Sequence, residues 1–358
     1  MSENQTPPPH RETVAILLRE PSLLLGAGLG AGLFLTVDLI PVMGLVFGSF
    51  TPVPFIYYYR RRGRTFGLTM IFLATLSVTL IHLVGGNPLG GLVFLEYAVL
   101  AGIMGEGLCR RYSAGKLLGL TTAAVLLLAL SLLFITSLGQ GRSAWSYGRE
   151  AVTRQIKESF RAYQGLLSIP TAPVSGLDRK SPGEGDRGEA GPRPHPDQNP
   201  APDQEINRLV QALVSIFPGL LVMGTLLVAW ANFMVGRSLL AKTDDLPIEL
   251  ADLKTWRTPE QLVWALIICG FGAFLGAGWI KTLSLNCLLV LGLVYFFHGL
   301  AIVAFWLDKK AAPLFIRVLV YAVIGLQQYL ALAIAALGLF DLWTDFRKLK
   351  AAGGNHET

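Results

Sequence analysis

The stretch Leu283–Leu307, LSLNCLLVLGLVYFFHGLAIVAFWL, runs for 25 residues without a formal charge. A helix rises about 1.5 Å per residue, so about 20 apolar residues cross the hydrocarbon layer of a bilayer, which is about 30 Å thick. Similar runs recur along the chain, which is 52% hydrophobic and 15% charged, against about 25% charged in an ordinary soluble domain. The sequence therefore predicts an all-α, polytopic transmembrane helical bundle.

Eight or nine apolar runs are predicted to span the membrane. They are Ser22–Leu39, Val42–Tyr59, Thr65–Leu83, Leu89–Leu108, Leu117–Leu138, Leu209–Gly236, Gln261–Ile280, Leu283–Leu307 and Val318–Phe340. Pro41, Pro52 and Pro54 are predicted to kink or unwind the second run, because proline removes a helical hydrogen bond and clashes with the preceding turn. The lower count applies if that run does not cross fully.

One long insertion is predicted to lie outside the membrane and to divide the chain. The segments are a polar tail with an interfacial helix (1–20), an N-terminal membrane block (21–138), the extramembrane insertion (139–205), a C-terminal membrane block (206–347) and a second tail (348–358). Apolar residues recur at helical spacing in the first part of the insertion: Trp145, Val152, Ile156, Phe160, Tyr163 and Leu167. This pattern predicts an amphipathic helix. The Pro- and Gly-rich text after it predicts a disordered linker.

Basic residues cluster in the short loops, and Lys and Arg favour the cytoplasmic side of such loops. If Arg60–Arg64 face the cytoplasm, alternation also places Arg110–Lys116, the connector Arg237–Arg257 and Lys309–Arg317 there. Nine crossings would put the basic tail from Arg347 onward on the opposite side, against the same rule. Either the tail is an exception to the rule, or the second run does not cross the membrane fully.

The sequence lacks the residues that several classes of function require. The net charge of +6 is spread over loops, whereas nucleic-acid binding needs one basic face, so we expect no nucleic-acid partner. Cys109, Cys269 and Cys287 form no CxxC pair and have no His at metal spacing, so no metal site is predicted. The phosphate loop GxxxxGK[ST], the zinc helix HExxH and the nucleophile elbow GxSxG are not found in the sequence. We expect no cofactor and no enzyme activity in this chain.

Polar side chains inside the predicted spans are the candidate site, because a charge at the centre of a span costs about 3 kcal/mol on insertion scales. The candidate substrate-binding residues are Glu96, Tyr295, His298, Gln327 and Gln328. They are predicted to line one polar cavity, with Tyr295 and His298 on the same helical face. The alternative is that His298 and the glutamines only form hydrogen bonds between helices. Asp38, beside Pro41, is expected to cap a helix or to be solvated.

The first predicted span contains small residues four apart, which let another helix backbone approach closely. Ala27 and Ala31 form one such pair, and Gly26 with Gly30 and Gly28 with Gly32 form two others. Tight packing inside the chain is the simple interpretation, and docking of a partner helix is the alternative.

Three segments resemble the YybS-like family of uncharacterised bacterial membrane proteins: WRTPEQLVWALI (256–267), NCLLVLGLVYFFHGLAIVAFWL (286–307) and GLFDLWTDFRK (338–348). That family is similar in layout to the substrate-binding membrane subunits of energy-coupling-factor vitamin transporters. The resemblance implies a multi-pass protein of the bacterial inner membrane that binds a substrate and docks a transmembrane coupling subunit. In those transporters an AxxxA pair in the first helix makes the docking contact, and Ala27 and Ala31 match it here. Such subunits typically have about six spans and no counterpart of the long insertion.

Three functions remain open at this point. The first is a transport-related binding subunit without its own ATPase, and the second is an envelope structural or assembly protein. The third is a lipid-processing enzyme in which Asp341 and Asp345, four residues apart, hold Mg²⁺ and a diphosphate. For those two aspartates the alternative is an interfacial charge network, because metal sites usually need more oxygen ligands.

Overall fold

The computed structural model describes residues 20–167, 201–241 and 256–347. Helices account for the regular structure of these ranges, and no strand occurs in them, which confirms the all-α class. The helices are α1 (Pro21–Leu39), α2 (Pro41–Gly48), α3 (Pro52–Arg62), α4 (Arg64–Val84), α5 (Pro88–Cys109), α6 (Ala114–Gly139), α7 (Ala144–Leu167), α8 (Ala201–Ala241), α9 (Leu262–Leu275), α10 (Gly278–Lys309), α11 (Leu314–Leu326) and α12 (Gln328–Thr344). The two predicted tails, the disordered linker and most of the 237–257 connector lie outside the described residues.

Within the described ranges, six helices are long and apolar enough to cross a membrane: α1, α4, α5, α6, α8 and α10. Helices α11 and α12 make a seventh if they count as one span, although their axes are bent by 104° at Gln327. The architecture is that of a polytopic helical bundle, as predicted, with a span count somewhat below the predicted eight or nine.

Three predicted spans are broken, which explains the lower count. The second run forms the short helices α2 and α3, because Pro52 starts a new helix at a position where no backbone N–H is needed. The seventh run ends at Leu275, and Gly278 then starts α10 with a φ of 56°, a conformation that favours glycine. Helix α9 has 14 residues, about 21 Å, so it is too short to span alone. The ninth run breaks at Gln327, which adopts extended backbone.

The N-terminal block packs α1, α3, α4 and α5 around an aromatic core. The ring of Phe34 contacts the ring of Phe94 edge to face at 5.1 Å, and Phe55 contacts the same ring at 6.3 Å. Tyr59 lies between Gly67 and Gly105, where a β-carbon at either glycine would overlap the phenol ring. These glycines therefore fix how closely α3 packs against α4 and α5.

The C-terminal block is built on α8 and α10, which run parallel and in register. Gly219 of α8 donates its N–H to the side chain of Asn286 of α10, and these residues are 67 apart in the chain. Trp230 stacks on Phe297 at a distance of 4.6 Å between the ring centroids, and these two residues are also 67 apart in the chain. Helix α12 then packs closely on α10.

Ion pairs group the helix ends of the N-terminal block into two sets. Arg64 lies 3.7 Å from Glu106, and Glu106 lies 2.7 Å from Arg110, so the start of α4 and the end of α5 share one end of the bundle. At the opposite end, Nε2 of His82 lies 3.2 Å from Asp38. This arrangement agrees with the predicted grouping of the basic loops, and Asp38, whose side chain is 54% exposed, is solvated and contacts His82.

The chain divides into two compact units. One comprises residues 1–132 and 218–358 and holds the packed membrane helices, and the other comprises residues 133–217 and holds α7. Helix α7 occupies the stretch predicted to be an amphipathic helix, with Trp145 at its start 71% exposed. The side chains of Phe160, Tyr163 and Leu167 lie outside the described set.

Candidate functional site

A buried ionic network lies between α10 and the end of α12. Nε2 of His298 is 3.1 Å from Oδ2 of Asp341, and these side chains are 0% and 1% exposed. Arg347 donates from Nη2 to the same carboxylate oxygen at 2.9 Å, and its side chain is also fully buried. Charges of both signs are thus removed from solvent together, which is the arrangement that a buried charge requires.

The end of α12 folds back to bring Arg347 into this network. Asp345 has a φ of 44°, in the left-handed region, and its N–H bonds to the Asp341 carbonyl at 3.1 Å. The other carboxylate oxygen of Asp341 accepts the N–H of Phe346 at 2.8 Å. Asp341 therefore holds the reversal of the chain as well as pairing with Arg347.

A third part of the chain, Trp256–Thr258, completes the network. The hydroxyl of Thr258 lies 3.1 Å from Nδ1 of His298, and Arg347 donates to the Trp256 carbonyl at 3.0 Å. Arg257 pairs with Asp345. Two arginines therefore face two aspartates.

His298 has partners for either position of its proton. With the proton on Nε2, the imidazole donates to Asp341 and accepts from the Thr258 hydroxyl. With the proton on Nδ1, it donates to Thr258 and accepts from Arg347, whose Nη2 lies 2.9 Å from Nε2. Neither neutral tautomer leaves a ring nitrogen unsatisfied in this buried place.

The same contacts favour one of the two interpretations of the aspartate pair. Asp341 binds His298 and Arg347, and Asp345 binds Arg257, so both carboxylates are committed to cations of the chain. Among the described residues, no group of three or more His, Cys, Asp or Glu side chains is placed to hold a metal ion. The geometry is that of the charge network.

A cavity of about 580 Å³ adjoins the network in the C-terminal block. Aromatic rings form much of its wall: Trp230, Phe233, Trp256, Phe296, Phe297 and Tyr321. Among the residues that the structure describes, Arg237 and Arg317 are its charged lining residues. Trp256 belongs to both features, since its ring lines the cavity and its carbonyl accepts from Arg347. The volume falls within the range of about 300–1,000 Å³ typical of small-molecule sites.

The structure separates the five predicted substrate-binding residues. Tyr295 and His298 are buried on α10, whereas Glu96 is half-buried on α5 with no hydrogen bond or ion pair to any described residue. Gln327 and Gln328 are exposed at the break between α11 and α12. None of the five lines the cavity described above. The single polar cavity predicted from these residues is therefore not formed, because Gln327 and Gln328 point away from the bundle and Glu96 belongs to the other block.

Ala27 and Ala31 are 5% and 9% exposed and belong to the core of the N-terminal block. A docking partner would have to contact other residues of α1. Gly28 and Gly32 are exposed, and a β-carbon at either position would have open space.

Several residues of the site were not among the sequence candidates. Arg347, Thr258, Trp230, Arg237 and Arg317 carry the network and the cavity together with Trp256. The text GLFDLWTDFRK stood out for its charges at the end of an apolar run, and a search for cations facing Asp341 would have found Arg347. The aromatic lining carries no such signal, because aromatic residues occur in every apolar run of the chain.

Six membrane-length helices in the described ranges, packed around a buried ionic network, define a polytopic helical membrane protein. The chain belongs to the family described as "Predicted membrane protein (DUF2232)", whose model matches residues 29–180 and 189–342. This match confirms the resemblance to the YybS-like family. No curated protein and no solved structure matches the chain. The similarity to energy-coupling-factor subunits stays a prediction.

Proposed function

We propose that the protein is a binding subunit of a transport system in the bacterial inner membrane, which holds a small molecule in the C-terminal cavity and catalyses no reaction itself. The observation that carries this proposal is the cavity of about 580 Å³, lined by residues of α6, α8, α10 and α11 together with Trp256. A well-formed, largely apolar pocket with a few polar groups is the default ligand site of a protein.

The wall of the cavity is held in place before any ligand binds. The stacked pair of Trp230 and Phe297 fixes one side, since their rings lie within 8° of parallel. Trp256 is fixed on the other side by Arg347, which donates to its carbonyl, and by His298, whose ring meets the indole at 6.0 Å. A pre-organised wall lowers the entropic cost of ligand binding. The buried network therefore acts as a support for the binding site.

Transport against a gradient requires energy, and the sequence contains no phosphate loop for ATP. A second membrane protein would supply the coupling in this proposal. The exposed small residues Gly28 and Gly32 on α1 allow a partner helix to approach closely.

The proposal is tested by filling the cavity. We expect the protein, purified in lipid nanodiscs, to retain a small molecule that native mass spectrometry detects. Ala304→Trp places an indole in the cavity and should abolish retention, because Ala304 lines it. Ala322→Trp, at an exposed position on α11, is the matched control and should keep the molecule.

The cellular form of the test uses a strain that lacks the gene. Its accumulation of one metabolite should be restored by the wild-type chain and by Ala322→Trp, but not by Ala304→Trp. An empty wild-type protein together with unchanged metabolite levels in the deletion strain would contradict the proposed function.

A second candidate function, in envelope assembly, is favoured by the surface of α7. Trp145 is 71% exposed, and Glu150 pairs with Arg142 at 2.7 Å and with Arg154 at 3.2 Å along the polar side of the helix. Such a helix suits contact with other proteins or lipid. Deletion of residues 170–204 together with Trp145→Ser should then disturb the envelope while small-molecule retention is kept, and an unchanged envelope would remove this candidate.

A further inference from the structure

Helices α11 and α12 are anchored at their outer ends by contacts with other parts of the bundle. Arg317, in the first turn of α11, pairs at 2.9 Å with Asp308 in the last turn of α10. Arg347, just beyond α12, donates to the carbonyl of Trp256 at 3.0 Å. The indole nitrogen of Trp256 would lie 3.7 Å from a β-carbon at Gly115, in the first turn of α6. The start of α11 therefore lies at the end of α10, and the end of α12 lies near the start of α6.

The end of α10 and the start of α6 share one end of the bundle. Helix α10 runs parallel to α8, and a β-carbon at Gly236, near the end of α8, would lie 3.3 Å from Ile56 of α3. Helix α3 leads directly into the start of α4, which the contacts of Arg64 and Arg110 with Glu106 place beside the end of α5. A short loop then joins α5 to α6. The pair of α11 and α12 therefore enters the bundle and returns to the end where it began.

The bend between these two helices lies within the membrane. Helix α11 has 13 residues, which correspond to about 20 Å, and the hydrocarbon layer is about 30 Å thick. The helix axes are bent by 104° at Gln327, so the chain turns back there instead of continuing across the bilayer. The two helices thus form a re-entrant hairpin, and Gln327 lies at its tip.

The tip of the hairpin is polar and uncovered. Gln327 and Gln328 are exposed, and their side chains have no hydrogen bond to any residue that the structure describes. Within the same ranges, no backbone hydrogen bond reaches the carbonyls of Ile324 and Gly325 or the N–H groups of Gln328 and Tyr329. Lipid chains offer no hydrogen bonds, so irregular backbone at membrane depth occurs only where protein covers it or where it lines a water-filled cavity. The tip therefore requires a cover.

We infer that the tip is covered by the same tip of a second copy of the chain, related to the first by a twofold axis perpendicular to the membrane. The amide of a glutamine has two N–H donors and one acceptor oxygen, so two identical amides satisfy each other. A twofold interface brings the same patch of both subunits together, which suits self-complementary groups. Leu326 and Tyr329, which are 87% and 72% exposed, flank the amides and supply apolar contact area. This inference does not depend on the proposed function.

The first experiment tests for contact between two tips. Gln327→Cys is introduced into the full-length chain in which serine replaces Cys109, Cys269 and Cys287, and membranes are treated with copper phenanthroline. We expect a disulfide-linked dimer on a non-reducing gel. Phe72→Cys is the matched control, at a 68% exposed position on α4, and should stay monomeric. Equal crosslinking at the two positions would show random collision in the membrane and would overturn the inference.

The second experiment tests the amides themselves. Single-molecule photobleaching of the labelled protein, diluted stepwise in phosphatidylcholine liposomes, measures the fraction of dimer. Replacing Gln327 and Gln328 together by leucine should weaken the dimer at least about tenfold, since it removes the hydrogen bonds between helices. Replacing both by asparagine keeps the amides and should retain part of the affinity. Both variants should unfold at the wild-type temperature, because the side chains are exposed. Unchanged dimerisation of the leucine variant would overturn the inference.

Two other covers for the tip are possible outcomes of these experiments. In a water-filled cleft, Gln327→Cys would react with a membrane-impermeant maleimide and would form no dimer. If a different membrane protein covers the tip, the crosslinked product from native membranes would have a mass other than twice that of the chain. Either result would overturn the inference, as would a wild-type chain that stays monomeric at every density. Reporter fusions that place the loop 310–313 and the C-terminal tail on opposite sides would overturn it too, because the hairpin would then cross the membrane.

Discussion

His298 and Asp341 approach each other to 3.1 Å across the contact between α10 and α12, with both side chains shielded from solvent. The pair is held by Thr258 on one side and Arg347 on the other. Three separate parts of the chain therefore meet at one imidazole. The wall of the cavity depends on this meeting point, because Trp256 is bound to Arg347 and packs against His298.

Asp341→Asn should destabilise the protein strongly. The substitution leaves the buried guanidinium of Arg347 without its carboxylate partner, and breaking a buried ion pair from one side costs about 3–5 kcal/mol. Unfolding of the purified protein in detergent, followed by denaturant titration, measures the loss. Glu150→Gln is the control, since its ion pairs on α7 are more than half exposed and such pairs contribute about 1 kcal/mol or less. Equal effects from both substitutions would contradict the assigned role of the network.

Gly338→Ala should also destabilise the protein, for a steric reason. A β-carbon at Gly338 would overlap the Tyr295 carbonyl oxygen and the backbone nitrogen of Gly299, neither of which is able to move aside. Overpacking of this kind costs about 1–3 kcal/mol. Gly292→Ala, on the facing helix α10, meets open space and should be neutral or slightly stabilising, because alanine favours helix over glycine. Matched thermal unfolding of the two variants checks the prediction, and comparable melting temperatures would contradict the close packing of α10 on α12.

The class of fold could be predicted from the sequence, because this class depends on the length and composition of the apolar runs. A run such as Leu283–Leu307 has no stable place except a bilayer or a large core, and its helix in the structure, Gly278–Lys309, contains the whole predicted span. Breaks were harder to predict. Pro41, Pro52 and Pro54 marked the one between α2 and α3. In the run from Val318 to Phe340, Gln327 and Gln328 stood out only as polar side chains, and no proline marks the 104° bend at Gln327.

The site could be predicted only in part, because pairing between distant segments is not visible in a single sequence. His298 was a candidate on the cost of an ionisable group in lipid, and it is the centre of the network. Its partners Thr258 and Arg347 lie 40 and 49 residues away and become neighbours only when α12 folds against α10. Glu96 met the same cost criterion, yet it belongs to the other block. The cost of an ionisable side chain in lipid therefore identifies unusual residues, but it does not predict which of them contact each other.

Reporter fusions should place the C-terminal tail on the same side of the membrane as the loop Arg110–Lys116. Arg347 donates to the Trp256 carbonyl, and the indole nitrogen of Trp256 would lie 3.7 Å from a β-carbon at Gly115, at the start of α6. Arg347, the last described residue, is thus linked through Trp256 to the loop that nine regular crossings would put on the opposite side. Phosphatase or fluorescent-protein fusions after Thr358 and within the loop measure the two locations. Opposite locations would contradict the packing of Trp256 against α6.

Cys269 and Cys287 should form a disulfide when the protein is treated with copper phenanthroline. Helices α9 and α10 make an antiparallel hairpin in which Gly276 meets Ile280 and Gly272 meets Ser284. Another turn along the same register brings Cys269 opposite Cys287. The β-carbons of a disulfide are about 3.5–4.5 Å apart, so the bridge forms only if the hairpin is closely packed at this level.

Mass spectrometry checks this hairpin contact. Oxidation should remove two hydrogen atoms from the chain and leave Cys109 as the thiol that N-ethylmaleimide labels after denaturation. Cys287→Ser should leave Cys269 open to labelling, and Cys109→Ser should not prevent the bridge. Because the register depends on Gly272 and Gly276, larger residues there should widen the hairpin and slow the oxidation. A disulfide that links two chains in place of the internal bridge would show that α9 does not pack on α10 as described.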